Sequence, residues 1–166
     1  MIHIFFGERT AGKILDVPKD TETQKIGSAG VVGSGTMGGG IAMNFANAGI
    51  PVIVLDQDEK NLERGIGVIE KNYQMMVDRG RLSQEMKDGV MSLITPSLNY
   101  EDLGDCDIVV EAVYENLELK QEIFKKLDDV VKGDAILASN TSGLDIDAIS
   151  SVTERPDKVV GTHFFS

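Results

Sequence analysis

A run of glycines between an apolar segment and an amphipathic one constrains this chain more than any other feature. Residues 33–38 read Gly-Ser-Gly-Thr-Met-Gly, a GxGxxG pattern, after a short apolar segment and at the start of residues 36–48, which predict a helix. Gly33 would allow a tight turn, Gly35 would let a phosphate approach the backbone, and Gly38 would let the helix pack on the strand. The pattern predicts a loop that binds dinucleotide phosphates; the alternative is a tight turn with no ligand.

An acidic residue, Asp56, ends the next apolar segment, 18 residues after Gly38. Dinucleotide sites place an acid at this point to accept hydrogen bonds from the ribose hydroxyls of adenosine. Because a carboxylate repels a 2′-phosphate, and no Lys or Arg follows before Lys60, the sequence predicts NAD as the cofactor and not NADP. The alternative is that Asp56 caps the next helix, although Asp58 could fill that role.

Short apolar segments alternate with amphipathic ones along the chain, which is typical of a parallel sheet covered by helices on both faces. The predicted strands are residues 28–33, 51–56, 93–98, 107–113, 134–139 and 158–164. The predicted helices are residues 36–48, 58–80, 83–93, 116–132 and 144–151, with a further short helix within residues 1–14. We interpret Tyr73, Met75 and Met76 as core residues. The predicted fold class is α/β, a doubly wound, mostly parallel, Rossmann-like sheet.

Composition excludes several other classes of protein. The chain has 16 Lys and Arg against 27 Asp and Glu, a net charge of −11, and it has no Trp, so it is a poor candidate for nucleic-acid binding. No apolar run approaches the roughly 20 residues of a membrane span. The single cysteine, Cys106, excludes an internal disulfide and most cysteine-based metal sites. We expect an intracellular protein with no nucleic-acid partner, no membrane span and no metal.

Negative charge is densest in residues 101–122, which hold eight acids and one base, Lys120. We interpret this stretch as a solvated acidic face. An anionic ligand would then have to be attracted by local backbone dipoles, since the overall field of the domain is negative.

Four segments together resemble the NAD-binding domain of the 3-hydroxyacyl-CoA dehydrogenases: GSGTMGGGIA, EAVYENLELKQEIF, ILASNTSGL and GTHFFS. The resemblance covers residues 26–166, whereas residues 1–25 resemble the connector that follows the enoyl-CoA hydratase part of multifunctional fatty-acid oxidation enzymes. The ending HFFS, where many single-function members have HFFN, also favours the multifunctional branch. The resemblance implies an NAD-binding Rossmann domain without its C-terminal helical domain. It also implies a cytoplasmic setting in a bacterium, and a peroxisomal or mitochondrial one in a eukaryote.

The resemblance also implies roles for individual residues. The phosphate-binding loop of the family corresponds to Gly33, Gly35, Thr36, Met37 and Gly38. The other residues that would bind the cofactor are Asp56, Glu115, Lys120 and Ser142. Ser142 would also touch the substrate, and His163 would be the catalytic histidine. Ser166 stands where other members have an asparagine near the nicotinamide, so this position departs from the family's pattern.

The residues themselves suit the oxidation of a secondary alcohol, which needs a base for the hydroxyl proton and an acceptor for the hydride. Histidine suits the base because imidazole titrates near neutrality. Of the two histidines, His3 lies in the leader, while His163 ends a predicted strand at the edge where such sheets bind ligands. Ser142 has no G-x-S-x-G elbow and is predicted to hydrogen-bond the substrate oxygen; capping the following helix is the alternative. Glu115 and Lys120 could also be plain surface charges.

The expected reaction is the NAD-dependent oxidation of an L-3-hydroxyacyl-CoA to a 3-ketoacyl-CoA in fatty-acid β-oxidation. The family pairs its histidine with a glutamate that would lie just beyond the last residue. We therefore expect this chain alone to bind NAD with little or no turnover. Three alternatives stay open: a related hydroxy-acid dehydrogenase that uses a lysine base, a non-catalytic NAD-binding relative, and a methyltransferase with a similar glycine loop.

Overall fold

The computed structural model of the protein describes Val17, Pro18 and residues 20–164. The strands are β1 (Ala29–Val32), β2 (Val52–Leu55), β3 (Ile94–Ser97), β4 (Ile108–Glu111), β5 (Ile136–Asn140) and β6 (Val159–Thr162). The α-helices are α1 (Thr36–Asn47), α2 (Glu59–Asp78), α3 (Gln84–Met91), α4 (Leu117–Val130) and α5 (Ile146–Ser150). Short 3-10 helices form at Tyr100–Leu103 and Pro156–Lys158. The helix predicted within residues 1–14 lies outside the described residues.

All six strands pair in parallel, in the order β3-β2-β1-β4-β5-β6. The prediction of a doubly wound Rossmann-like sheet is therefore confirmed. In this order the chain moves outwards from β1 in one direction and from β4 in the other, which leaves a crevice at the carboxyl ends of β1 and β4. The register aligns Val32 of β1 with Glu111 of β4, and Glu111 with Ser139 of β5.

Each face of the sheet has its own apolar core, because the central strands are buried on both sides. Helices α1, α2 and α3 cover one face, and α4 and α5 cover the other. Tyr73 of α2 is 1% exposed, and its hydroxyl donates to Asn47 Oδ1 at 3.0 Å. The core interpretation is wrong for Met75 and Met76, which are 38% and 37% exposed because they lie further round the helix.

No helix in the described part of the chain is both long enough and apolar enough to cross a bilayer.

Candidate functional site

The three glycines of the loop occupy three different environments. Gly33 has φ +104°, and a Cβ there would lie 2.8 Å from the carbonyl oxygen of Ala112. A Cβ on Gly38 would overlap the carbonyl oxygen of Gly33, so α1 can approach β1 this closely only through a glycine. A Cβ on Gly35 would meet no atom within 4 Å. Gly33 and Gly38 are needed by the fold, while Gly35 borders open space.

The amino terminus of α1 has no side-chain cap. Its N-cap residue is Gly35, so the free N–H groups of the first turn, which includes Thr36 and Met37, donate no hydrogen bond to a capping side chain. The other α-helices among the described residues are capped by Asp58, Ser83, Asn116 and Asp145. An uncapped helix start beside open backbone is suited to an anion such as a phosphate.

Asp56 follows β2 and faces the glycine loop. Its carboxylate accepts hydrogen bonds from Ser34 N at 3.0 Å and from Ser34 Oγ at 2.6 Å. Burial works to raise the pKa of Asp56, but the hydrogen bonds from Ser34, together with those from the backbone of Asp58 and Gln57, outweigh it and hold the pKa below its ordinary value, so the group is an anion. The cap of α2 is Asp58, which accepts from Asn61 N at 2.9 Å, so Asp56 is not that cap.

Two clefts open at the carboxyl edge of the sheet, and they share Ala112 and Val113. The larger, of about 730 Å³, is lined by residues that include Gly33, Gly35, Thr36 and Asp56. The smaller, of about 330 Å³, is lined by Met37, Ala112, Val113, Glu115, Asn140, Ser142, His163 and Phe164. Most of the predicted site residues therefore line one or the other of two adjoining clefts.

Glu115 lines the smaller cleft and forms hydrogen bonds with the loop after β5. Its Oε1 accepts from Thr141 Oγ1 at 2.5 Å and from Ser142 N at 3.0 Å, and it lies 3.5 Å from Ser142 Oγ. Burial works to raise the pKa of Glu115, but these hydrogen bonds, with the charge of Lys120, hold the pKa below its ordinary value. The cap of α5 is Asp145, so Ser142 is not that cap.

His163 directly follows β6 and is exposed on the smaller cleft. The segment that bears it is tied to the neighbouring strand, because Phe164 N donates to Asn140 Oδ1 at 2.9 Å. Sequence reasoning did not single out this role for Asn140. No local pattern indicates this contact, because the two residues lie 24 positions apart in the sequence.

Lys120 lies beneath the smaller cleft and lines neither cleft. Its side chain is fully buried, so the interpretation as a plain surface charge is wrong for this residue. Its Nζ is 2.7 Å from Glu111 Oε1 and 3.4 Å from Glu115 Oε2. Glu111 is buried too, so the solvated-face interpretation of residues 101–122 fails for this pair. The missed signal is an acid inside the apolar strand DIVVEAV, which needs a partner once buried.

A family model described as the NAD-binding domain of 3-hydroxyacyl-CoA dehydrogenase matches residues 28–166. The chain belongs to this family. The resemblance found in the sequence and the predicted cofactor, NAD, are thereby confirmed, and the methyltransferase alternative is excluded. The chain is 42% identical, over 167 aligned residues and 100% of its length, to the peroxisomal fatty acid beta-oxidation multifunctional protein MFP2 of Arabidopsis thaliana.

Two shorter relatives support the same assignment. The 3-hydroxybutyryl-CoA dehydrogenase of Clostridioides difficile is 41% identical over 82% of this chain. The crystal structure of 3-hydroxybutyryl-CoA dehydrogenase from Escherichia coli K12 superposes with a TM-score of 0.84 at 34% identity, covering 86% of this chain and 30% of that one. The chain spans 23% of the length of MFP2 and 48% of the Clostridioides enzyme.

Proposed function

We propose that this chain binds NAD along both clefts and forms the NAD-binding part of an enzyme that oxidises L-3-hydroxyacyl-CoA to 3-ketoacyl-CoA. The observation that carries the proposal is the uncapped start of α1 beside the open face of Gly35, with the Asp56 carboxylate across the loop. This arrangement lies at the crevice between β1 and β4, where such sheets bind dinucleotides. The names of the relatives support the substrate class.

The residues that line the two clefts fit the cofactor. The N–H groups of Thr36 and Met37 would hold the diphosphate, and the Asp56 carboxylate would accept hydrogen bonds from ribose hydroxyls. Ala112 and Val113, shared by both clefts, would lie beneath the middle of the molecule. The clefts of about 730 and 330 Å³ offer enough volume for an extended dinucleotide.

The smaller cleft would hold the reacting end of the substrate. NAD, when bound, supplies the hydride acceptor. His163 would take the proton from the substrate hydroxyl and, in the reverse direction, donate it to the carbonyl oxygen. The Ser142 hydroxyl would hydrogen-bond the same oxygen and fix its orientation. Both side chains line this cleft, at the ends of the neighbouring strands β5 and β6.

We propose residues 26–166 as the domain and residues 1–25 as a connector, with a helical domain of the longer enzyme completing the substrate site. Within that connector the described residues form no helix or strand. The relatives include a peroxisomal plant protein and bacterial subunits of a fatty acid oxidation complex, and an intracellular setting is proposed for this chain too.

Cofactor binding is tested by fluorescence titration of the chain with NADH and NADPH. We expect NADH to bind more tightly, and Asp56→Asn to weaken NADH binding by about 10-fold or more because a charged acceptor is lost. Asp157→Asn, which removes a carboxylate from an exposed turn, is the matched control and should leave the affinity unchanged. Equal affinity of the parent for NADH and NADPH would contradict the assignment of Asp56.

Catalysis is tested by joining this chain to the remaining domains of a multifunctional relative and following acetoacetyl-CoA reduction by NADH. His163→Gln should lower kcat by about 100-fold or more, the usual contribution of a positioned acid–base group. Retention of most activity in this variant would favour the related hydroxy-acid dehydrogenases with a lysine base.

A further inference from the structure

Glu111 is a fully buried carboxylate at the end of β4, and each of its oxygens accepts two hydrogen bonds. Its two oxygens accept hydrogen bonds from Lys120 Nζ at 2.7 and 2.8 Å. Oε1 also accepts from Val113 N at 2.7 Å, and Oε2 accepts from Ser139 Oγ at 2.6 Å. The pair is therefore a completed network that joins β4, β5 and α4, and not an isolated buried charge.

Such a pair is not needed to fill a core. Taking two charges out of water is costly, and apolar residues of similar volume often replace a buried ion pair with no loss of stability. What an apolar replacement would not reproduce is the third contact of Lys120, whose Nζ lies 3.4 Å from Glu115 Oε2. That contact extends the network from the core to the cleft.

Glu115 is the link between this buried pair and the cleft. Its side chain is 40% exposed, so its own packing does not fix the position of the carboxylate. One oxygen faces Lys120, and the other accepts from Thr141 Oγ1 and from the backbone N–H of Ser142. A fixed cation on one side thus restrains the orientation of the carboxylate that accepts from the loop on the other side.

We propose that Glu111 and Lys120 are positioning residues, which hold the Glu115 carboxylate in the orientation that keeps Ser142 in place on the cleft of His163. Neither side chain lines the cleft, so both act through Glu115. The inference rests on the proposed function, because it assigns a purpose to the placement of Ser142 beside cofactor and substrate.

The test compares two ion pairs whose acids lie at opposite ends of β4. One variant, Glu111→Gln/Lys120→Met, removes the buried pair without leaving a lone charge in the core. The matched control, Asp107→Asn/Lys132→Met, removes the ion pair at the other end of β4, which joins Lys132 Nζ to Asp107 Oδ1 at 2.5 Å. Two properties are measured on the whole chain: hydrogen exchange of the Ser142 amide by NMR without cofactor, and the Kd for NADH.

In Glu111→Gln/Lys120→Met we expect the Ser142 amide to exchange about tenfold faster, and NADH to bind about tenfold more weakly, as when supporting residues around a binding group are removed. The control should change neither property. In a Glu115→Gln background, the same double change should cause no further loss of affinity, because its effect passes through Glu115. A residue with a merely structural role would give additive losses.

Unchanged exchange at Ser142 in the neutral double variant would overturn the inference, as would additive losses in the Glu115→Gln background. Failure of the parent chain to bind NADH would count against the proposed function alone, since the exchange measurement still decides whether the pair positions Ser142. The single variant Glu111→Gln should show faster Ser142 exchange as well, and an unchanged rate there would contradict the proposal in the same way.

Discussion

Strand β4 has an acid–lysine ion pair at each end. At its amino end, Asp107 and Lys132 are partly exposed, by 20% and 35% of their side chains. Asp107 also accepts from Gly27 N at 2.6 Å and from Ser28 N at 3.0 Å, and so ties β4 to the segment that enters β1. At the carboxyl end, Glu111 and Lys120 are wholly buried and connect onwards to Glu115.

The difference lies in what each pair is connected to. The amino-end pair contacts backbone at the start of β1, so its effect stops at the sheet. The carboxyl-end pair leads to a loop that borders a cleft, as expected for a parallel sheet, whose ligands bind beyond the carboxyl ends of the strands. Changes at the carboxyl edge should therefore alter NADH binding, while changes at the amino edge should alter only stability.

The largest effect is expected for Gly38→Ala at the carboxyl edge. The new Cβ would overlap the carbonyl oxygen of Gly33, so α1 must move away from the loop. We expect a loss of about 3 kcal/mol in stability, and an NADH affinity about 100-fold lower because the N–H groups of α1 are displaced. Urea unfolding and fluorescence titration measure the two effects.

The counterpart of this change at the amino edge is Gly27→Ala. Its Cβ would lie 3.4 Å from Asp107 Oδ2, which is close to ordinary contact, so NADH affinity should stay within about twofold of the parent. A comparable loss of affinity in both glycine variants would break the contrast between the two edges.

An intermediate effect is expected for Gly65→Ala, a position that the sequence analysis did not single out. A Cβ on Gly65 would clash with the backbone oxygen of Ser34 and lie 2.7 Å from the Cβ of Ser34. Helix α2 or the glycine loop would therefore have to move. Overpacking of this kind costs about 1–3 kcal/mol, and NADH affinity should fall by about tenfold.

Gly67 lies on the same helix and provides the matched control. A Cβ there meets nothing within 4 Å, so Gly67→Ala should raise stability by about 0.5–1 kcal/mol, the usual gain from replacing a glycine within a helix. NADH affinity should be unchanged. If Gly65→Ala and Gly67→Ala gave the same unfolding midpoint, the close approach of α2 to the loop would be refuted.

The smallest effect on binding is expected for Asp107→Asn, which should change the pH dependence of stability and leave NADH affinity at pH 7 unaltered. The hydrogen bond from Lys132, with those from Gly27 and Ser28, lowers the pKa of Asp107 from 3.8 to about 2. Because the folded-state pKa lies below the unfolded value, the carboxylate stabilises the fold above pH 3.8, and this contribution is lost as the pH falls towards 2.

Urea unfolding of the parent and of Asp107→Asn between pH 6 and pH 2 checks this prediction. The difference between their midpoints should be constant down to about pH 4 and shrink below it. A difference that stayed the same at pH 2 would show that the charge of Asp107 does not act through this pair.

Much of the fold could be predicted because its signals are local. Alternation of apolar and amphipathic segments gave every strand and α-helix within residues 28–164, with each end within two residues of the observed one. Even β3, which contains Pro96, was recoverable, since a strand at the sheet edge tolerates a residue without an N–H. The 3-10 helices were missed because short turns leave no periodic pattern.

The site was predicted less completely, because charge in a sequence does not reveal burial. Glu111 and Lys120 belong to a stretch rich in acids, which is ordinarily solvated, and only the tertiary fold pairs them with each other in the core. Likewise, Asn140 contacts Phe164 across 24 positions of sequence, a distance that no local motif encodes. Motifs located the loop glycines, Asp56, Ser142 and His163, whereas their supporting residues required three-dimensional contacts.

The missing cap of α1 has a consequence for the thermodynamics of the whole chain. A dinucleotide that accepts hydrogen bonds from those N–H groups binds the folded chain and not the unfolded chain. Binding therefore shifts the unfolding equilibrium towards the folded state. At a free concentration 100 times its Kd, such a ligand adds about 2.7 kcal/mol to the folded state. The melting temperature of this chain should therefore rise with the concentration of free NAD. When that concentration is low, the chain should unfold at a lower temperature and be cleaved more readily by proteases.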